Sequence, residues 1–259
     1  MVKFDLRSGY HHLNVHTEHQ KYLGFSWIIN GVEKYFVFSV LPFGLSSAGH
    51  IFIKVERTLV NYWRSQSFPI IVYLDDGWAC DTLERCTRMS KSLLQTLLDS
   101  GFLPNFEKSI FTPTQKLDWL GFTWNLELGV IEVPRAKIDK IQLKIQKIMF
   151  DNRSTARLLA SVLGKIISLI PAFGNICQLM TRHLCMTICQ SDTWDFYFDL
   201  PLSARLELEF WLKNCKDLPN LLLSPINKTP KRIIFSDASS YAAAGFVEGN
   251  VLQIAHNMF

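Results

Sequence analysis

Two adjacent carboxylates, Asp75 and Asp76, follow the apolar run Phe68-Pro69-Ile70-Ile71-Val72-Tyr73-Leu74 and precede Gly77-Trp78-Ala79-Cys80. That order predicts a strand, a tight turn and a second strand, with both acids at the tip of a hairpin. Neighbouring carboxylates repel, so a shared apex needs something to offset the charge, and a divalent metal ion is the usual answer. An isolated Asp-Asp pair is more often an ordinary acidic turn, so the surrounding segments decide. A two-metal centre needs carboxylates from separate strands, holding ions ~3.5–4 Å apart to flank a displacement at phosphorus. Asp5, near the end of the apolar strand Val2–Leu6, is the candidate third ligand. Between them lies Leu41-Pro42-Phe43-Gly44-Leu45-Ser46-Ser47-Ala48, a turn that opens a helix and lets backbone approach a ligand at Gly44. An ordinary helix-capping loop explains that turn equally well.

The elements around these residues alternate. Tyr22 to Ile29 and Lys34 to Val40 flank Asn30-Gly31, a two-residue hairpin signal. Ser47 to Ser65 predicts a helix with Phe52, Val55, Leu59 and Tyr62 or Trp63 on its apolar face. Asp81 is the expected cap of a helix over 82–100, and Gly101 suits its C-terminal end. A hairpin follows, with one strand over 118–125 and the next over 130–133. From Pro134 onward the pattern is helical. Ile138, Ile141, Ile145 and Ile148 share one stripe, and Lys137, Lys140, Lys144 and Lys147 a neighbouring one. More helices are expected at 155–169, 175–190 and 202–215. Ile233 to Ser239 predicts a strand carrying Asp237, with further strands over 242–247 and 251–256. The expected class is therefore α+β, with a strand-and-helix first part followed by a helical one.

Composition bounds the function classes. The 259 residues are 48% hydrophobic and 13% aromatic, which excludes a disordered chain, and the net charge of +4 is compatible with a polyanionic partner. The cysteines Cys80, Cys86, Cys177, Cys185, Cys189 and Cys215 form no Cys-x-x-Cys pair and read as buried thiols in a reducing compartment. The N-terminus is not a signal peptide, and the apolar stretch 158–180 reads as a buried helix pair and not a membrane span. An intracellular location, cytoplasm or nucleus, with no membrane partner, is the resulting expectation.

Three ordered segments carry a resemblance. Phe4-Asp5-Leu6-Arg7-Ser8-Gly9-Tyr10, then Leu41 to Ala48, then Tyr73-Leu74-Asp75-Asp76, resemble the palm of reverse transcriptases from retrotransposons and retroviruses. Gly101-Phe102 with Lys108, and Leu117-Asp118-Trp119-Leu120-Gly121-Phe122, look like that family's later palm motifs. Ser236-Asp237-Ala238-Ser239 looks like the first strand of a ribonuclease H domain. His19 to Phe25 and Tyr62-Trp63-Arg64 are similar to DIRS-type elements, which mobilise with a tyrosine recombinase.

The resemblance implies a palm over 1–125, a helical thumb or connection over 126–225 and a partial ribonuclease H-like segment over 231–259. It implies that Asp5, Asp75 and Asp76, with the Leu6 carbonyl, hold two magnesium ions, with manganese as a substitute. Tyr10 would exclude a ribose 2′-hydroxyl. Ser8, Gly9, Phe43, Gly44 and Lys108 would meet the incoming dNTP. Tyr73, Leu74, Leu117, Trp119, Leu120 and Gly121 would meet the primer, and Lys137, Lys140, Lys144 and Lys147 the template–primer phosphates. The implied partners are an RNA or DNA template with its primer, and dNTPs.

Two departures stand out. The fingers motifs that precede the first palm aspartate in this family are absent, so the palm reads as N-terminally truncated. Asp237 is the one ribonuclease H carboxylate that can be placed, so no ribonuclease H activity is expected. The leading reading is an RNA-directed DNA polymerase fragment with impaired nucleotide binding. A catalytically dead relic that binds nucleic acid is the alternative. A metal-dependent nuclease could use the same aspartates, but Tyr10 and Phe43 argue against it.

Overall fold

The computed structural model describes residues 1–223 together with the strands Ile234–Ala238 and Ala243–Val247. Strand β1 (Val2–Asp5) turns Val2 and Phe4 into a core and leaves Lys3 and Asp5 half-buried, the alternation of a strand with one covered face. A 3-10 turn at Gly9–His12 and a short helix α1 (Thr17–Gln20) lead to the hairpin of β2 (Gly24–Ile29) and β3 (Val32–Val37). Asn30 and Gly31 link the two strands with φ of 52° and 77°, as the sequence predicts for a two-residue turn. Every residue of both strands is exposed, including Trp27 and Tyr35.

Helix α2 (Ala48–Ser65) buries Ala48, Phe52, Glu56, Val60 and Trp63. The expected apolar face is therefore rotated, because Val55 and Tyr62 are exposed. Phe52 and Trp63 explain the rotation. Both rings are fully buried, and aromatic burial outweighs that of a valine. Glu56, one turn beyond Phe52, is carried inward with them.

Strands β4 (Ile70–Tyr73) and β5 (Asp76–Ala79) form the predicted hairpin, and β1 completes a three-stranded antiparallel sheet in the order β1-β5-β4. Helix α3 (Leu83–Asp99) starts on Thr82, whose Oγ1 accepts the Arg85 N–H at 3.4 Å. Asp81, the expected cap, instead accepts the Thr82 N–H at 2.7 Å and pairs with Arg85 at 2.9 Å. Gly101 closes the helix at φ 80°.

The span 118–125 is not one strand. Strands β6 (Lys116–Trp119) and β7 (Phe122–Asn125) are joined by Leu120 and Gly121 at φ of 47° and 76°, and β8 (Val130–Glu132) adds a third antiparallel strand. Trp78 of β5 stacks on Trp119 at 5.5 Å and lies 5.2 Å from Trp124, tying the two sheets together.

The helical part follows. Helix α4 (Arg135–Asp151) begins after Pro134, which occupies the cap position, and buries all four stripe isoleucines. Strand β9 (Arg153–Ser154), α5 (Ala156–Ile167), α6 (Ile170–Phe173), α7 (Ile176–Leu179), α8 (Arg182–Cys189), β10 (Phe198–Asp199) and α9 (Leu202–Asn214) complete it. The isoleucines pack with Leu159, Val162, Ile166, Leu184, Leu208 and Trp211 in one core. The helix expected over 175–190 is broken at Met180–Thr181. The buried Glu207 carboxylate of α9 accepts the His183 and Leu184 N–H groups, 2.9 Å each, and so starts α8 afresh.

Residues Leu222–Phe259 form a separate unit. In it β11 (Ile234–Ala238) and β12 (Ala243–Val247) pair antiparallel, with Asp237 opposite Ala244. The strand expected over 251–256 lies outside the described residues.

Candidate active site

The sheet register assembles the acids. Asp5 of β1 stands directly opposite Asp76 of β5, and the Leu6 N–H donates to the Asp75 carbonyl at 2.9 Å. Directly opposed residues of an antiparallel pair share one face, with Cβ atoms ~4.5–5.5 Å apart. The β4–β5 turn consists of Leu74 and Asp75, and Leu74 is held at φ 54°. That conformation costs a leucine about 1 kcal/mol or more, and such strain persists where the surrounding structure over-determines it. Leu74 packs on the core beneath the sheet and Tyr73 is exposed.

Asp5 is fixed at its backbone. Its N–H donates to Ser109 Oγ at 3.0 Å, and its carbonyl accepts the Asn105 N–H at 2.7 Å. Lys108 Nζ lies 3.8 Å from Asp5 Oδ2. Burial pushes the Asp76 carboxyl up to about 6, and the charges of Asp5 and Asp75 and a hydrogen bond shared with Asp5 push the same way. Lys3 opposes them. Among the described residues, no three His, Cys, Asp or Glu side chains converge into a ready metal cage. Lys108, beside Asp5, offsets part of this charge. The donor set is nonetheless one of hard carboxylate oxygens crowded by their own repulsion, and this fits a hard divalent cation.

The nucleotide-side residues also gather here. Tyr10 sits between Phe43 and Phe52, with ring centroids 5.1 Å from each. Phe43 is 68% exposed and Gly44 takes φ 86°. Gly9 is buried so tightly that an added Cβ would lie 2.9 Å from the Phe52 ring and 3.4 Å from Asp75 Cβ. Ser8 before it is exposed and left-handed, with φ 55° and ψ 48°.

Other expected contacts are placed differently. Leu117 and Trp119 turn into the core, 4% and 8% exposed, because the Trp78–Trp119–Trp124 cluster claims that face. The exposed residues of this segment are Asp118 and the Leu120–Gly121 turn. Lys137 does not extend freely. Its ammonium lies 4.3 Å over the Phe122 ring, and burial, reinforced by Lys165, lowers its pKa. Lys140, Lys144 and Lys147 are exposed, and Lys144 donates to Ser161 Oγ at 2.6 Å. Cys185 and Cys189 are exposed, contrary to the expectation of buried thiols, because their side of α8 faces away from the helical core.

Glu56 belongs to none of the motifs read from the sequence. It is 4% exposed, its Oε1 has no hydrogen-bond partner among the described residues, and burial, then the Asp75 charge, pushes its carboxyl up to about 8. Its signal is the spacing Ala48, Phe52, Glu56, Val60, which places an acid in the middle of a buried stripe.

Comparison with known proteins is consistent with this geometry. Residues 1–124 match the family model described as reverse transcriptase (RNA-dependent DNA polymerase). The chain is 27% identical over 242 residues to an enzymatic polyprotein of Cassava vein mosaic virus, covering 93% of this chain and 34% of the polyprotein. It is 27% identical over 120 residues to the genome polyprotein of Petunia vein clearing virus, covering 46% of this chain and 5% of that one. The chain thus spans about a third or less of these relatives. The foamy viral protease-reverse transcriptase, solved with an RNA/DNA hybrid, superposes with a TM-score of 0.68 at 20% identity over 100% of this chain and 33% of that one. The dRH form of the foamy viral protease-reverse transcriptase, solved with double-stranded DNA, gives 0.69 at 20% identity, over 98% of this chain and 42% of that one. The fold is a mixed α/β structure like that of the retroviral enzyme. Among the described residues, no helix is long and apolar enough to cross a membrane.

Proposed function

We propose that the chain carries out template-directed DNA synthesis, joining a deoxynucleotide to a primer 3′-hydroxyl. The observation that carries this reading is the Asp5–Asp76 cross-strand pair beside Asp75, within the segment that matches the reverse transcriptase family. Asp5, Asp75 and Asp76, with the Leu6 carbonyl, would hold two divalent ions, magnesium or manganese. Such ions lower the pKa of a bound hydroxyl and neutralise a triphosphate and its leaving pyrophosphate.

The chain's own residues supply position. Tyr10, wedged between two phenylalanine rings, would lie against the sugar and leave no room for a 2′-hydroxyl. Phe43 and Gly44 would form the exposed wall beside the base. Ser8 and Gly9 would present backbone N–H groups to the triphosphate. Lys108, already beside Asp5, would move to the triphosphate once cations occupy the acids, or donate a proton to the leaving pyrophosphate. Leu74, Tyr73 and the Leu120–Gly121 turn would guide the primer end. Lys140, Lys144 and Lys147 would meet backbone phosphates without reading sequence. On this reading 1–125 is a palm and 126–225 a thumb or connection. The β11–β12 hairpin with Asp237 would be the start of a ribonuclease H-like segment, and the lineage would be DIRS-like.

Extension of a labelled DNA primer on an RNA template, with dNTPs and magnesium, tests the proposal. Primer degradation without dNTPs would replace it with a nuclease. Salt-sensitive template binding without extension would leave only a nucleic-acid-binding relic.

A further inference from the structure

Beyond the aspartates, the segment that carries Tyr10 is held by a side chain with no role so far. The His12 Nδ1 lies 3.1 Å from the Gly9 carbonyl oxygen, and the Leu103 N–H donates to His12 Nε2 at 3.2 Å. Both contacts fit one neutral tautomer, with its hydrogen on Nδ1. The imidazole also packs on Phe102, with ring centroids 5.4 Å apart, and Phe102 packs on Phe52 at 6.3 Å. Leu103 grips the same turn a second time, because its carbonyl accepts the Arg7 N–H at 2.9 Å. The two grips, on Arg7 and on His12, straddle Ser8 and its left-handed backbone. A non-glycine residue keeps that conformation only when its surroundings enforce it. The enforced turn then sets Gly9 against Asp75 Cβ and Tyr10 against Phe52.

We propose that His12 is a positioning residue for the sugar-facing wall of the nucleotide site, clamping the Gly9–Tyr10 turn to Leu103. This rests on the polymerase reading above. With the clamp removed, Ser8 relaxes, Gly9 shifts against Asp75 and Tyr10 against Phe52. The loss falls on nucleotide binding and on sugar selection more than on the chemical step.

Primer extension by the full chain on an RNA template, with dGTP and with GTP as separate substrates, reads this out. For His12→Ala the expected result is a KM for dGTP raised about tenfold, roughly what one lost hydrogen bond gives. The kcat should change much less, and the preference for dGTP over GTP should fall. His12→Asn keeps a donor near the Nδ1 position and His12→Gln an acceptor near Nε2, so each should recover part of the loss. Unchanged KM and unchanged sugar preference in His12→Ala overturn the inference. So does a fall in kcat and Tm with KM unchanged in all three variants, which makes His12 a folding residue only. Failure of the unmodified chain to extend any primer overturns the polymerase reading and this role with it. Extension with unaltered variants overturns only the role of His12.

Discussion

Asp5 and Asp76 face each other across adjacent antiparallel strands, in register and on one side of the sheet. Like charges so placed destabilise the fold, and the strain appears as an Asp76 carboxyl pushed up to about 6, by burial first and then by its acidic neighbours. The folded chain therefore binds more protons than the unfolded chain between about pH 4 and 6. Stability falls as pH rises through that window. In metal-free buffer, Asp76→Asn should melt several degrees above the unmodified chain at pH 7.5, and the gap should close by pH 4. Thermal melts followed by circular dichroism measure it. Equal Tm values at pH 7.5 would show that the pair is not crowded.

Glu56 extends the same logic to a deeper site. Its carboxyl rises to about 8, chiefly through burial and secondarily through Asp75, so its destabilising effect grows as pH climbs from about 4.5 to 8. Glu56→Gln should be more stable than the unmodified chain at pH 8.5, by on the order of 3 kcal/mol, and nearly equal at pH 4.5. Urea unfolding at the two pH values decides it. A loss of stability at pH 8.5 would mean that the ionised carboxylate is satisfied in the fold.

Gly77 lies opposite Phe4 in the central strand, and a Cβ there would overlap the Phe4 ring. A glycine in a strand interior often marks such a close approach. Gly77→Ala should destabilise by about 2–3 kcal/mol, as overpacking does. Adding Phe4→Leu should return part of it. Additive losses in the double variant would refute the contact.

Among the stripe lysines, Lys140, Lys144 and Lys147 are exposed, whereas Lys137 is drawn onto Phe122. Replacing the three exposed lysines with glutamine should reduce the slope of log affinity against log salt by about 2–3 for duplex template–primer. Lys137→Gln should leave that slope nearly unchanged. Fluorescence anisotropy titrations across salt concentrations measure both, and an unchanged slope in the triple variant would remove this face from the interface.

The parts of the structure legible in the sequence are those set by local spacing. The Asn30-Gly31 turn, the acid-tipped hairpin and the isoleucine stripe of α4 each depend on neighbours within a few residues. What was not legible depends on partners far away in the chain. The α2 face is chosen by the core that receives Phe52 and Trp63, and this hides Glu56 inside an otherwise ordinary amphipathic pattern. The break before α8 is imposed by Glu207 of α9. The turn at Leu120-Gly121 is masked by the apolar residues that run through it, although Gly121, at φ 76°, is a local turn signal. The inward turn of Leu117 and Trp119 follows from Trp78, on another sheet. His12 carries no periodic signal, because its two partners, Gly9 and Leu103, come together only in the fold.

On the polymerase reading, the Asp5–Asp75–Asp76 apex catalyses DNA synthesis. Primer extension on an RNA template by the full chain and by Asp75→Asn, with template affinity measured in parallel, decides this. The unmodified chain should show dNTP-dependent extension, and Asp75→Asn should lose at least about a thousandfold with template affinity within about twofold, as expected when a group acting only at the reacting atoms is removed. Extension that persists in Asp75→Asn, or that is absent from both chains, would contradict it.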